Sequence, residues 1–123
     1  MGFTRDNSTA MSVRRVEPGA IAIGADTFTD DVLIFRDEIR HGVAIDDIAT
    51  LSEEQLDELL PEGPEIVILG TGFRSRRPPR ELVFAMARRG IGFETMDTPA
   101  ACRTFNILKS EGRDVAAILI VRE

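Results

Sequence analysis

Glu65-Ile66-Val67-Ile68-Leu69-Gly70-Thr71-Gly72 is the stretch whose reading decides the fold. Ile66 to Leu69 is an unbroken apolar run rich in β-branched residues, with no polar residue to mark a solvent face. A strand covered on both sides, as in the centre of a parallel sheet, has this composition. Pro78-Pro79 then opens a helix through Arg89, because proline is pre-set for a first helical turn. Leu82, Ala85 and Met86 form its core face, Arg88 and Arg89 suit the negative end of its dipole, and Gly90 is placed to end it. A second strand runs from Ile91 to Met96. Thr98-Pro99 caps a third helix with Ala101, Phe105 and Leu108 at helical spacing. Gly112 ends that helix, and Val115 to Val121 is another apolar strand. Strand, helix, strand, helix, strand predicts an α/β domain with crossover connections.

Upstream, residues 13–43 read as β-rich. Ala20-Ile21-Ala22-Ile23 stops at Gly24, and Val32-Leu33-Ile34-Phe35 follows Asp30-Asp31, so short strands and tight turns are expected. Leu51 to Leu60 predicts a helix: Ser52 and Gln55 form a capping box, and Leu51 staples onto Leu56. Glu53 and Glu54 suit its positive end, and Pro61 with Gly63-Pro64 stops it. Residues 1–12 read as a polar, flexible arm and residues 13–123 as one α/β domain.

The composition excludes several functions. No apolar run approaches the roughly 18 residues that cross a bilayer, so membrane insertion is not expected. One cysteine leaves no internal disulfide, and a cytoplasmic location is the expectation. The net charge is −6: residues 1–70 carry 15 acids and 5 bases, and residues 71–123 carry 6 acids and 10 bases. A net acidic chain without Trp or Tyr is a poor nucleic-acid binder, lacking both a dense basic face and stacking platforms. Oligomeric state stays open, since a short N-terminal edge strand can pair between copies.

If the strands at 65–69 and 91–96 are parallel neighbours, their C-terminal ends share one edge, where ligands of open α/β sheets bind. That edge gathers Gly70, Thr71, Gly72, Arg74, Arg76, Arg77, Arg80, Asp97, Thr98 and Arg103. Two helix N-termini would point there, each with unpaired N–H groups for an anion. No acid lies among residues 66–80. Against a phosphate cradle, the third glycine of the dinucleotide fingerprint is missing, and no Gly-Lys-[Ser/Thr] is present. Cys102 is the one nucleophile candidate; a helix N-terminus and Arg103 would both lower its pKa. A small core residue is the competing reading. His41 reads as a surface residue. With one His and one Cys a structural zinc site is not expected, and the doublets Asp30-Asp31 and Asp46-Asp47 read as solvated turns without calcium-loop spacing. No metal or cofactor is expected.

Several separated motifs resemble a known family. They are Ile66-Val67-Ile68-Leu69-Gly70-Thr71-Gly72, Arg77-Pro78-Pro79, Met96-Asp97-Thr98, Ala100-Ala101-Cys102-Arg103-Thr104-Phe105-Asn106 and Glu111-Gly112-Arg113. The family is that of small uncharacterised proteins which includes mitochondrial complex I (NADH dehydrogenase) assembly factor 3 and the adipogenesis-associated domain-containing protein. The resemblance implies a compact three-layer fold with a mixed central sheet, helices packed on it and an additional N-terminal β layer. The matching positions are Gly70, Thr71, Gly72, Pro78, Pro79, Asp97, Thr98, Cys102, Arg103 and Asn106. It implies protein partners in complex assembly and no established reaction. The expectation is therefore a non-catalytic interaction or assembly-factor-like domain. The alternative is a protein or enzyme that binds a small phosphate or carboxylate at the 70–77 loop and the start of the 99–110 helix.

Overall fold

The structure is a computed structural model that describes residues 11–43 and 45–122. Eight strands form two sheets. Strands β1 (Val13–Glu17), β2 (Ala20–Ile23) and β3 (Asp26–Phe28) make an antiparallel sheet in sequence order. Strands β4 (Val32–Phe35), β5 (Glu38–His41), β6 (Ile66–Gly70), β7 (Gly92–Met96) and β8 (Val115–Leu119) make the second, in the order β5-β4-β8-β6-β7. β6 is parallel to both β7 and β8, whereas β4 is antiparallel to β8 and β5, so the sheet is mixed. A 3₁₀ turn (Ile48–Thr50) and helices α1 (Glu53–Leu59), α2 (Arg80–Arg88) and α3 (Thr98–Ser110) complete the described part.

Alternation along the central strands divides the core into two halves. Ile66 and Ile68 of β6, Val115 and Ala117 of β8, and Val32 and Ile34 of β4 face α3 and the three-stranded sheet. Val67, Leu69, Ala116, Ile118, Leu33 and Phe35 face the other way, onto α1, the 3₁₀ turn and α2. The result is three layers: α3 with the small sheet, the five-stranded sheet, then α1 and α2. Ala116 and Ala117 let both outer layers approach the central strand closely, since neither carries more than a methyl group.

Local signals explain the element ends. Ser52 and Gln55 cap each other's backbone at the start of α1, as the sequence predicts. Leu51 and Leu56 lie in the same buried cluster. α2 differs by one turn position: Pro79 stands at the N-cap with no side-chain cap, and the helix starts at Arg80 rather than within the proline pair. Proline can hold that extended conformation because its φ is already fixed near −65°; here it is −59°. α3 is capped by Asp97, whose Oδ1 accepts from the Ala100 amide, while Thr98, expected to cap, is the first helical residue.

Two polar brackets tie the layers together. Asn106 of α3 accepts from the Val13 amide at 2.9 Å and donates to the Val13 carbonyl at 2.9 Å, completing the backbone needs of β1 with a side chain. Asp31 is the second bracket. The sequence reading of Asp30-Asp31 as a solvated doublet is corrected here, because Asp31 is only 5% exposed. Its carboxylate accepts from the Val121 amide at 2.8 Å and pairs with Arg122 at 3.0 Å. Burial of that carboxylate is compensated by two donors, as a buried charge requires. Of the expected N-terminal arm, residues 1–10 lie outside the described part. Met11 packs against the core, and the Ser12 carbonyl accepts from Gly24.

Replacing Asn106 by Leu leaves the Val13 amide and carbonyl without their partner. We expect a loss of about 2 kcal/mol in chemical denaturation and faster hydrogen exchange across β1 and β2 than across β6. Unchanged exchange at Val13 would show that the bracket is dispensable.

Candidate functional site

β6 and β7 end side by side, with Gly70 opposite Met96, so the edge expected from the sequence exists. Its polar groups are directed mainly at one another. The Thr71 amide donates to Met96 O at 2.8 Å, and the Gly72 amide donates to Thr98 Oγ1 at 2.8 Å. In return the Thr98 amide donates to Gly72 O at 2.7 Å. The Thr98 hydroxyl gives its own proton to Ile120 O at 2.7 Å, and the Ile120 amide donates to Gly70 O at 3.0 Å. Thr98 is fully buried and Thr71 nearly so. These bonds form a closed circuit through β6, β8 and α3.

The glycines serve this circuit. A Cβ on Gly70 would lie 2.9 Å from Thr98 Oγ1 and 3.1 Å from Ala101 Cβ, too close for an alanine without displacement. Gly72 has φ +96°, a conformation that glycine adopts without a steric penalty. The Gly-Thr-Gly sequence thus permits the first turn of α3 to press against the end of β6.

The start of α3 was expected to offer free N–H groups. Thr98 donates to Gly72, Pro99 has no N–H, Ala100 donates to Asp97 Oδ1 and Ala101 to Asp97 O. All the donors of that first turn are engaged within the chain. The usual basis for anion binding at a helix start is a set of unengaged amides. Asp97 itself is exposed and adds negative charge at the same place.

Cys102 shares this turn but not its surface. It is 4% exposed, and burial pushes its thiol up to about 12, opposite to the lowering expected from the helix terminus; the Arg103 charge opposes that rise without reversing it. A thiol held neutral in this way is a core residue in its chemistry, since the thiolate is the nucleophile.

The arginines are arranged differently. Arg74, Arg76, Arg77, Arg80 and Arg103 are exposed, and none makes an ion pair among the described residues. Arg74 and Arg76 line a cavity of about 20 Å³ with Thr71, Phe73, Ile48, Ile120 and Arg122. That space is close to one water molecule in size. The Arg122 guanidinium is already held by Asp31 and by the carbonyls of Ile45 and Asp46. Phe73 is half-buried and roots the loop.

The remaining candidates lie elsewhere. His41 is exposed, with Nδ1 3.3 Å from Asp30 Oδ2 and its ring against Phe28. Asp47 caps the 3₁₀ turn by accepting from Ala49. No group of three or more metal-ligating side chains occurs among the described residues, and no helix there is long and apolar enough to cross a membrane. The Asp31–Arg122 pair had no sequence signature beyond an acid before a strand and a base after one. Asn106 stood out only through the family resemblance, which gave no sign of its bond to Val13.

The fold and this latched edge make the chain a three-layer α/β domain in which a Gly-Thr-Gly turn joins the central sheet to a helix start. The chain belongs to the family described as "Protein of unknown function (DUF498/DUF598)", which it matches over residues 13–120. It is similar to the "13 kDa major membrane protein" of Francisella tularensis subsp. holarctica (strain LVS), at 38% identity over 76 residues, 62% of each chain. It is also similar to the human "NADH dehydrogenase [ubiquinone] 1 alpha subcomplex assembly factor 3", at 50% identity over 62 residues, half of this chain and 34% of that one. Among solved structures, the NMR structure of a Xanthomonas campestris protein superposes with a TM-score of 0.81 at 29% identity, covering 98% of this chain and 92% of that one. The matches to these two curated relatives thus span less than two thirds of either relative's length.

Two substitutions probe the latch. Thr98→Val strands the Gly72 amide and the Ile120 carbonyl in the core and should cost about 3 kcal/mol, whereas Thr98→Ser should retain most of the stability. Equal loss in both variants would place the effect in packing instead.

Cys102 gives a titration test. Its folded pKa lies above the unfolded value, so the native state holds the proton longer and this contribution to stability is lost as pH rises from about 9 to 12. We expect Cys102→Ala to flatten the stability curve across that window. A native thiol titrating near 8.5 would contradict the burial.

Proposed function

We propose that the chain is a non-catalytic protein-interaction domain of the assembly-factor kind, acting in the cytoplasm, and that its contact surface is the arginine loop. The observation that carries this reading is the contrast at the sheet edge. The backbone donors of Gly-Thr-Gly and the first turn of α3 are engaged internally, while Arg74, Arg76, Arg77 and Arg103 stand exposed without an acidic partner among the described residues. Gly70, Thr71, Gly72, Thr98 and Asn106 then act as the frame that holds this surface, with the exposed Asp97 beside it. Exposed guanidinium groups on a fixed frame suit carboxylates of a partner surface. The human relative's description as an assembly factor supports a role through protein partners.

A second reading keeps a small phosphate or carboxylate as ligand. It is favoured by one observation: Arg74, Arg76 and Arg122 line the same cleft beside Thr71. The cavity of about 20 Å³ counts against it unless the loop opens.

A photo-crosslinking amino acid at position 75, in place of exposed Ser75, separates the two. We expect a polypeptide adduct in cells that disappears when Arg74, Arg76 and Arg77 are all changed to Glu. We expect no rise in melting temperature with millimolar phosphate, citrate or nucleotides. A saturable rise of several degrees that Arg76→Ala removes, with no polypeptide adduct, would overturn the proposal in favour of the anion reading.

A further inference from the structure

We propose that the outward face of α2 is the anchor of this contact, and that its occupant is a partner segment with apolar residues framed by acids. The inference rests on the protein-interaction reading and extends it to a second element and to the chemistry of the partner.

α2 buries Leu82, Ala85 and Met86. Its opposite face carries Arg80, Val83, Phe84, Ala87 and Arg88, all exposed and spaced so that they form one stripe. Phe84 is 56% exposed and Val83 39%; with Ile107 on α3 they are the exposed large hydrophobic residues of the described part. The stripe therefore has an apolar centre with an arginine at each end. An aromatic anchor with arginines around it is the composition enriched at protein contacts.

The charges around it are unmet. Arg80 and Arg88 make no ion pair among the described residues, and the loop arginines 74, 76 and 77 adjoin Arg80 in sequence. Arg89, by contrast, is held by Glu53 and Asp57 of α1, at 3.0 and 2.9 Å. The acid of α2, Glu81, lies on the flank toward α1, in the groove that Ser52, Glu53 and Arg88 also line, so Arg88 stands at the border between that flank and the outward face. The outward face and its loop thus present Arg74, Arg76, Arg77 and Arg80 without an ion-pair partner among the described residues, with Arg88 at the border shared with Glu81.

Those cations select an acidic occupant, and the surrounding charge limits its size. The whole chain carries −6, and residues 1–70 carry most of that negative charge. A long polyanion such as a duplex extends well past the patch and meets the acidic remainder of the protein. A short acidic segment stays within about one Debye length, ~8 Å at physiological salt, of the arginines. The apolar centre adds a requirement that a nucleic acid does not meet. A segment with aliphatic or aromatic residues between acids, as on one face of an amphipathic helix, satisfies both.

Panning the full chain against a phage library of random 16-residue peptides tests this directly. We expect enriched peptides to carry acids on both sides of an apolar pair. Their affinity should fall at least tenfold in Phe84→Ser, tenfold in Arg80→Glu/Arg88→Glu, and strongly between 50 and 500 mM NaCl. Both variants alter exposed side chains, and an unchanged melting temperature confirms that they remain folded. No enrichment, enrichment of neutral or basic peptides, or binding indifferent to Phe84→Ser overturns the inference. So does Phe84-dependent binding of a 20-base-pair duplex or of phosphatidylserine vesicles in place of the peptides. A position-75 adduct that persists in Phe84→Ser removes this anchor and leaves the protein-interaction reading standing. Loss of that adduct from the unaltered surface removes both.

Discussion

The hydroxyl of Thr98 accepts from the Gly72 amide and donates to the Ile120 carbonyl, with no solvent at either bond. Through it the C-terminal ends of β6 and β8 and the start of α3 are held in one arrangement. Much else depends on that arrangement. Gly70 has no room for a side chain because Thr98 stands there, and Gly72 turns at positive φ so that its amide and carbonyl both meet Thr98. A buried hydroxyl of this kind has a modest net value when satisfied and a large penalty when one partner is removed. That asymmetry makes it a determinant of the edge's shape rather than one contact among many.

A second constraint acts at the chain's end. The buried Asp31 carboxylate holds the Val121 amide and the Arg122 guanidinium, and Arg122 reaches the carbonyls of Ile45 and Asp46. The segment before α1 is thereby fixed next to the arginine loop, with Ile48 in the wall of the small cavity. Polar groups inside the edge are saturated by the protein, and the groups left over are the surface arginines and the apolar residues of α2. The separation between a satisfied frame and an unsatisfied surface is the physical content of the interaction reading.

Much of this architecture was legible in the sequence because it follows from periodicity and punctuation. Ile66 to Leu69 announced a strand covered on both faces, Ser52 with Gln55 announced a helix start, and Gly90 and Gly112 announced two helix ends. The mixed sheet and the extra β layer were available only through the family resemblance. Strand pairing between distant segments such as β4 and β8 leaves no local mark. The same holds for the site. Proximity of the loop to Asp97 and Thr98 followed from parallel strands. The direction of the Thr98 hydroxyl did not, and neither did Asp97's role as the cap. Thr and Asp both cap helices well, so adjacent candidates compete and tertiary contacts decide. Cys102 went against its local cues because burial outweighs the charge of one exposed arginine. Asp31 pairs with a residue 91 positions away, beyond any pattern in a short window.

The Gly-Thr-Gly amides belong to the frame and are not offered to a ligand. Native-state hydrogen exchange at the Gly72 amide, followed with and without added phosphate, measures this most directly. Gly72 should exchange only through global unfolding, as the β6 and β8 amides do, and phosphate should leave its rate unchanged beyond any effect on global stability. A Gly72 amide that exchanges as rapidly as an exposed loop, and that phosphate then protects selectively, would contradict it.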